Sequence, residues 1–219
     1  EGRGQGSEPW AGRQGAAAGR WTRGSARGSL VRIVGGRLRG AHLVGPKSQA
    51  IRPTSDRLRE SLFNILAHGL GDPVEGARVL DLFSGTGALG LEALSRGARF
   101  CLFVEEAAEA RGLIHTNVEK LALTGATKLW RRDATRLGRC APMEPFDLAF
   151  LDPPYGKGLA DAALAAMAAG GWTRPGAIVV VEEVASAEVA IPTAFETIDV
   201  REQGESRVMF LRHIGADPA

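Results

Sequence analysis

Apolar positions along the chain change their spacing three times. Residues 1–28 show no periodicity at all; they hold eight glycines and five arginines. Such a segment buries too little apolar surface to offset the entropy of ordering. Short β-type runs follow at 30–34 and 41–44, around Gly35-Gly36 and Gly40. They predict a twisted hairpin with arginines on one side. A helix then starts near Pro53, with Thr54 or Ser55 as its cap and Asp56 at the positive end of its dipole. Leu58, Leu62, Phe63 and Leu66 form its apolar stripe, and Gly69 and Gly71 end it.

From residue 76 the rhythm becomes strand, helix, strand. Apolar runs at 78–82, 100–104, 127–130, 147–151 and 177–181 predict strands. Helical patterns at 88–96, 107–123 and 159–169 separate them, and 195–200 with 207–212 reads as a closing antiparallel pair. This alternation predicts an α/β fold with a mostly parallel sheet covered on both faces. The expected plan is a disordered or appended basic tail over 1–28, a basic β-hairpin over 29–52 and one α/β domain over 53–219. The tail has no starting Met and no apolar core of a secretory signal. It reads as appended or upstream-translated sequence, with an RNA-attracting tail as the second reading.

Composition narrows the class. The chain is 44% hydrophobic and 24% charged, enough for a core in a 219-residue chain. No apolar run approaches the roughly 18 residues a membrane span needs, so none is expected. Two cysteines, Cys101 and Cys140, are too few for a disulfide framework or a zinc site. Cys101 lies inside an apolar run and reads as a buried thiol. A reducing cytoplasm and a monomer are expected. The four histidines (His42, His68, His115, His213) are scattered, so no metal site is expected. The net charge of +2 hides an asymmetry: +3 over 1–28, +6 over 29–59 and −7 over 60–219. A polyanion met by the N-terminal part accounts for it.

Four motifs carry chemistry, each after a predicted strand. In 79-VLDLFSGTGALGLEAL-94 a strand ends in Asp81, and Gly85, Gly87 and Gly90 lead into a helix. Glycines there let the backbone approach a ligand, although a tight turn with nothing bound has the same pattern. A nicotinamide site would place its first glycine almost directly after the strand to receive a pyrophosphate. Here Asp81, Leu82, Phe83 and Ser84 intervene. An anion at Asp81 repels a pyrophosphate and favours a ligand with ammonium and sulfonium groups. Glu105 follows the second strand, 24 positions on, where a carboxylate can hold ribose hydroxyls; a solvated acid at a helix start is its other reading. Asp133 follows the third strand and can accept from an adenine amino group or simply form a turn.

The fourth motif is 152-DPPY-155, at the end of the fourth strand. Two prolines fix the backbone and remove two donors. What remains is a pair of rigid acceptors, the Asp152 carboxylate and the Pro153 carbonyl, which suits an –NH₂ group. Pro154 stiffens the turn and Tyr155 offers a flat face for a planar base. The competing reading is a rigid turn with a core tyrosine.

Asp81, Gly85 and Gly87, Glu105, Asp133 and the DPPY run together resemble the class I S-adenosylmethionine-dependent methyltransferases that modify exocyclic amines. The runs 32-RIVGGRLRG-40 and 52-RPTSDRLRESLFNIL-66 resemble the RsmD family, bacterial methyltransferases of guanine N2 in small-subunit (16S) ribosomal RNA. The resemblance covers 30 to about 213. It implies a Rossmann-like, seven-stranded sheet with the last strand antiparallel and helices on both faces. S-adenosylmethionine is the implied cofactor, with no metal, and the implied partner is small-subunit rRNA or an assembling 30S subunit. Asp81, Phe83, Gly85 and Gly87 would line its methionine end, Glu105 the ribose, and Asp133 with Ala134 the adenine. Thr54 and Arg52 would lie near its edge. Asp152, Pro153, Pro154 and Tyr155 would hold the guanine, while Arg32, Arg37, Arg39, Lys47 and Arg52 would face RNA. Methylation of adenine N6 in DNA or RNA is the nearest alternative. A nicotinamide oxidoreductase and a non-catalytic RNA-binding module stand further off: the first has no use for DPPY, and the second predicts damage to motifs that are intact.

Overall fold

The computed structural model describes residues 31–46 and 55–215. The expectations for the tail, Lys47, Arg52 and Thr54 lie outside the described residues. The chain runs β1 (Val31–Arg32), β2 (His42–Leu43), α1 (Asp56–Gly69), β3 (Arg78–Leu82), α2 (Ala88–Ser95), β4 (Phe100–Val104) and α3 (Ala108–Lys120). It continues through β5 (Thr127–Trp130), β6 (Phe146–Leu151), α4 (Leu159–Gly170), β7 (Thr173–Val184), β8 (Phe195–Gln203) and β9 (Ser206–His213). The main sheet has seven strands in the order β5-β4-β3-β6-β7-β9-β8. β3 pairs in parallel with both β4 and β6, and β9 runs antiparallel between β7 and β8. The chain therefore moves outward from β3 in one direction, returns, and moves outward in the other. The reversal between β3 and β6 is where a ligand crevice opens in such sheets.

The apolar runs are nearly continuous because both sheet faces are covered. Leu80 and Leu82 face one core, which holds Leu151, Leu164 and Trp172. Val79 and Phe103 face the other, with Phe63, Ile114 and Phe150. The predicted cap of α1 is Ser55, whose hydroxyl accepts from the Leu58 N–H. Leu58, Leu62, Phe63 and Leu66 are all buried. β7 is longer than the predicted 177–181, because its pairing with β9 continues through Glu182, Glu183 and Val184.

The hairpin forms, with shorter strands than the runs at 30–34 and 41–44 imply. Its backbone groups are taken by helix side chains instead of a longer ladder. Val34 N–H donates to Glu92 (2.8 Å), and Leu38 N–H to Ser95 Oγ (2.9 Å). Asn117 accepts from Val44 N–H (2.7 Å) and donates back to its carbonyl (3.1 Å). Arg59 reaches the Arg32 carbonyl (2.5 Å). A Cβ on Gly36, at φ +72°, would sit 2.0 Å from the Ser95 carbonyl, so glycine there permits the close approach to α2. Val31, Ile33 and Leu43 share the core of α1 and α2.

Candidate active site

The predicted acids meet on the carboxyl rim of the sheet, around a cleft of about 1090 Å³. Asp81, Phe83, Gly85, Glu105, Asp133 and Ala134 line it, as do Asp152, Pro153, Pro154 and Tyr155. Gly87 does not. It is the left-handed residue before α2 (φ +77°), and a Cβ there would stand 3.3 Å from Ile114 and Phe103, beneath the cleft wall. Its packing against Ile114 and Phe103 shapes the turn that carries Gly85 into the cleft.

Asp81 is 1% exposed. Its Oδ2 accepts from the Gly90 N–H at 2.9 Å. Burial raises its pKa well above the ordinary carboxylate value; the Gly90 bond opposes this, and the charges of Asp152 and Glu105 add to it. Gly90 allows the contact: a Cβ would lie 2.4 Å from Phe103 and 2.5 Å from Cys101. Between Asp81 and the helix, Phe83 takes a left-handed conformation (φ +57°), a cost that non-glycine residues bear where a site needs it. Ser84 donates to the Asp81 carbonyl (2.6 Å) and accepts from Val104 N–H (3.1 Å), joining the ends of β3 and β4.

Glu105 holds the glycine loop from the other side. Its two oxygens accept from Gly85 N–H (2.9 Å) and Ala107 N–H (2.8 Å). Each keeps a further lone pair for a ligand hydroxyl. Asp133 caps a 3₁₀ turn at Ala134–Arg136, accepting from Thr135 N–H (2.8 Å) and Thr135 Oγ (2.7 Å). Those bonds, and Arg136, hold its pKa below the ordinary value.

At the DPPY turn Asp152 is half-buried, Pro153 buried and Pro154 exposed. The Tyr155 hydroxyl donates to Glu182 (2.5 Å) and meets Ser206 Oγ at 2.9 Å. Burial, and then the Glu182 bond, push its pKa up. Gly156 N–H donates to Glu183 (2.9 Å), which also accepts from Val184 N–H. The turn is thus fastened to the ends of β7 and β9, and the tyrosine ring is held at its hydroxyl.

Glu182, Ser206, Thr86 and Arg132 also line the cleft and were not predicted. A signal for Glu182 exists: it ends the apolar run 177–181, the same acid-after-strand pattern as the other four. Of the hairpin arginines, Arg37 and Arg39 are exposed, while Arg32 is exposed but paired with Asp56 at 3.0 Å. None lines the cleft. Among the described residues no group of three or more His, Cys, Asp or Glu could hold a metal ion, and no helix is long and apolar enough to cross a membrane.

The strand order, the antiparallel β9 and the glycine loop beside acids at the switch point define the class I methyltransferase fold. The family described as Conserved hypothetical protein 95 matches residues 31–212, and the chain belongs to it, the RsmD family. The Ribosomal RNA small subunit methyltransferase D of Escherichia coli (strain K12) is 36% identical over 163 residues, 74% of this chain and 78% of that protein. Its Haemophilus influenzae counterpart of the same name is 34% identical over 154 residues, 69% and 78% of the two chains. The solved structure of yhhF from Escherichia coli superposes with a TM-score of 0.74 at 29% identity, covering 85% of this chain and 99% of that one. The Thermus thermophilus 16S rRNA N2 G1207 methyltransferase, solved with AdoMet and guanosine, shares the fold at TM-score 0.58 and 21% identity, over 85% of this chain and 50% of that one.

Proposed function

We propose that the protein methylates the exocyclic N2 of a guanine in small-subunit ribosomal RNA, with S-adenosylmethionine as donor. The observation that carries the reading is the meeting of Asp81, Glu105 and Asp152 on one cleft, with Asp81 desolvated. A buried carboxylate held beside two others favours a cationic ligand, and this donor set fits a methionine ammonium and a sulfonium. S-adenosylmethionine supplies, when bound, an electrophilic methyl group. Asp81 would hold the ammonium end, Glu105 the ribose hydroxyls, and Asp133 with Ala134 the adenine edge.

The other half of the cleft serves the nucleophile. The lone pair of a guanine amine is delocalised into its ring, so the nitrogen attacks poorly. The Asp152 carboxylate and the Pro153 carbonyl accept its two hydrogens, favour a tetrahedral nitrogen and stabilise the positive charge that develops there. As the new N–C bond formed, the methyl–sulfur bond of the donor would break with its electron pair left on sulfur, and one proton would leave nitrogen for Asp152 or water. Tyr155, held by Glu182 and Ser206, presents its ring to the base. The base must leave its stack, which costs a few kcal/mol. Arg37 and Arg39 of the hairpin would meet phosphates.

The experiment is transfer of labelled methyl from S-adenosylmethionine to small subunits, or their naked RNA, lacking the modification. Label in RNA supports the reading, and its absence with both substrates ends it. The same acceptors suit the amine of adenine, so N6-methyladenosine is the outcome that would favour the second reading.

A further inference from the structure

β5 is one of the two edge strands of the main sheet, and its side chains alternate between faces. Leu129 packs on the core of Ile114, and Trp130 on the core of Trp172. Lys128 shares the Trp130 face. In a sheet covered on both faces, a helix between β5 and β6 would shield that face. Here the joining residues, 131–145, hold only the 3₁₀ turn Ala134–Arg136. Trp130 is left half-buried, with Lys128 and Arg132 exposed beside it and Arg131 exposed next to it in the chain. Two cations lie against its ring: Lys128 Nζ at 5.6 Å and the Arg132 guanidinium at 4.8 Å from the centroid.

The charge here reverses the trend of its surroundings. Residues 60–219 are acidic overall, yet 128–139 carry one Lys and four Arg against Asp133 alone. Among the described residues no carboxylate lies within ion-pair distance of Lys128, Arg131 or Arg132. A solvated face intersperses its charges with acids; this one concentrates like charge on an uncovered edge. Arg132 and Asp133 line the cleft, so the patch reaches the site itself.

We infer that Lys128 and Arg132, set against Trp130, together with the adjacent Arg131, form a second phosphate-binding surface for RNA, separate from the hairpin and on the Asp133 side of the cleft. This rests on the substrate being RNA. With the hairpin on the opposite face of the sheet, the RNA backbone is held on both sides of the rim where the target base enters.

The test is filter binding of the full chain to naked small-subunit RNA across a salt titration. Three variants are compared: Lys128→Glu with Arg131→Glu, the hairpin pair Arg37→Glu with Arg39→Glu, and the conservative Lys128→Arg with Arg131→Lys. Neither Lys128 nor Arg131 lines the cleft, so S-adenosylmethionine affinity should not change in the first variant. Its RNA affinity should fall roughly five- to tenfold per side chain near ~0.1 M salt, and its log–log salt slope by about 1.5, as a slope of about −0.7 to −0.9 per contact sets. The conservative variant should bind as the wild type does, which separates lost charge from misfolding. If the first variant binds RNA normally while the hairpin pair weakens it, the second surface is refuted and the RNA reading stands. If the wild type shows no salt-dependent RNA binding, both fall. Loss seen only with assembled subunits would assign the patch to a ribosomal protein and overturn the inference.

Discussion

Asp81, one residue from the end of β3, and Asp133, just past β5, stand on one rim and line one cleft, yet their surroundings differ in sign. Asp81 is buried, with a single N–H on its Oδ2 and two other carboxylates acting on it, and its pKa is raised. Asp133 keeps 39% of its side chain exposed, takes two bonds from Thr135 and lies near Arg136, and its pKa is lowered. Burial disfavours the first as an anion, and a cation beside it would stabilise its charge. The second is a settled anion that can offer a spare lone pair. The difference gives the cleft a polarity: in the proposed reading Asp81 would face the charged methionine end and Asp133 a neutral heterocycle.

Substitutions along this axis should act unequally. The largest effect is expected where the polarity meets chemistry. Asp152→Ala should slow single-turnover methyl transfer by about 10²–10⁴-fold while leaving cofactor affinity within a few-fold; full activity would remove Asp152 from the mechanism. Next comes the contrast itself. By calorimetry, Asp81→Asn should weaken S-adenosylmethionine binding by roughly 2–3 kcal/mol, the loss of a charge partner in a buried pair. Asp133→Asn should cost about 1 kcal/mol, a single hydrogen bond. Equal losses would break the comparison.

Gly90→Ala probes the Asp81 side without touching charge. Its Cβ would meet Phe103 and Cys101 at 2.4 and 2.5 Å, so α2 must shift. Chemical denaturation should show a loss of about 1–3 kcal/mol.

The smallest effect is the pH dependence of the ligand-free protein. Asp81, with its raised pKa, contributes stability that is present below the ordinary carboxylate value near ~4 and is lost as pH rises toward its folded value. Asp133, with its lowered pKa, contributes stability that is present above the ordinary value and is lost as pH falls through its folded one. At neutral pH, Asp81→Asn should therefore raise the melting temperature of the ligand-free chain, by about 2–4 °C if ~1 kcal/mol is relieved, and Asp133→Asn should not.

The sequence made the rim legible because each acid ends an apolar strand, and that adjacency survives folding intact. The strands and helices from 78 to 170 fall within a few residues of their predicted limits for the same reason. Other features depend on partners distant in the chain. Arg59, Glu92 and Asn117 look like surface residues of helices, yet each is fully buried because the hairpin backbone needs their hydrogen bonds. Glu182 ends its apolar run as the other acids do; what the run does not show is that β7 continues past it, carried by pairing with β9. The packing of Gly87 against Ile114 and Phe103 was likewise out of reach, because its spacing shows only a loop before a helix. The exposed edge at Lys128 depends on a missing helix, which only the complete topology reveals.

The most direct test of the account is the identity of the methylated nucleoside. Small-subunit RNA lacking the modification is incubated with the protein and labelled S-adenosylmethionine, digested to nucleosides and separated by chromatography. The account predicts label in N2-methylguanosine with wild-type protein and its loss with Asp152→Ala. Label in N6-methyladenosine, or undiminished N2-methylguanosine with Asp152→Ala, would contradict it.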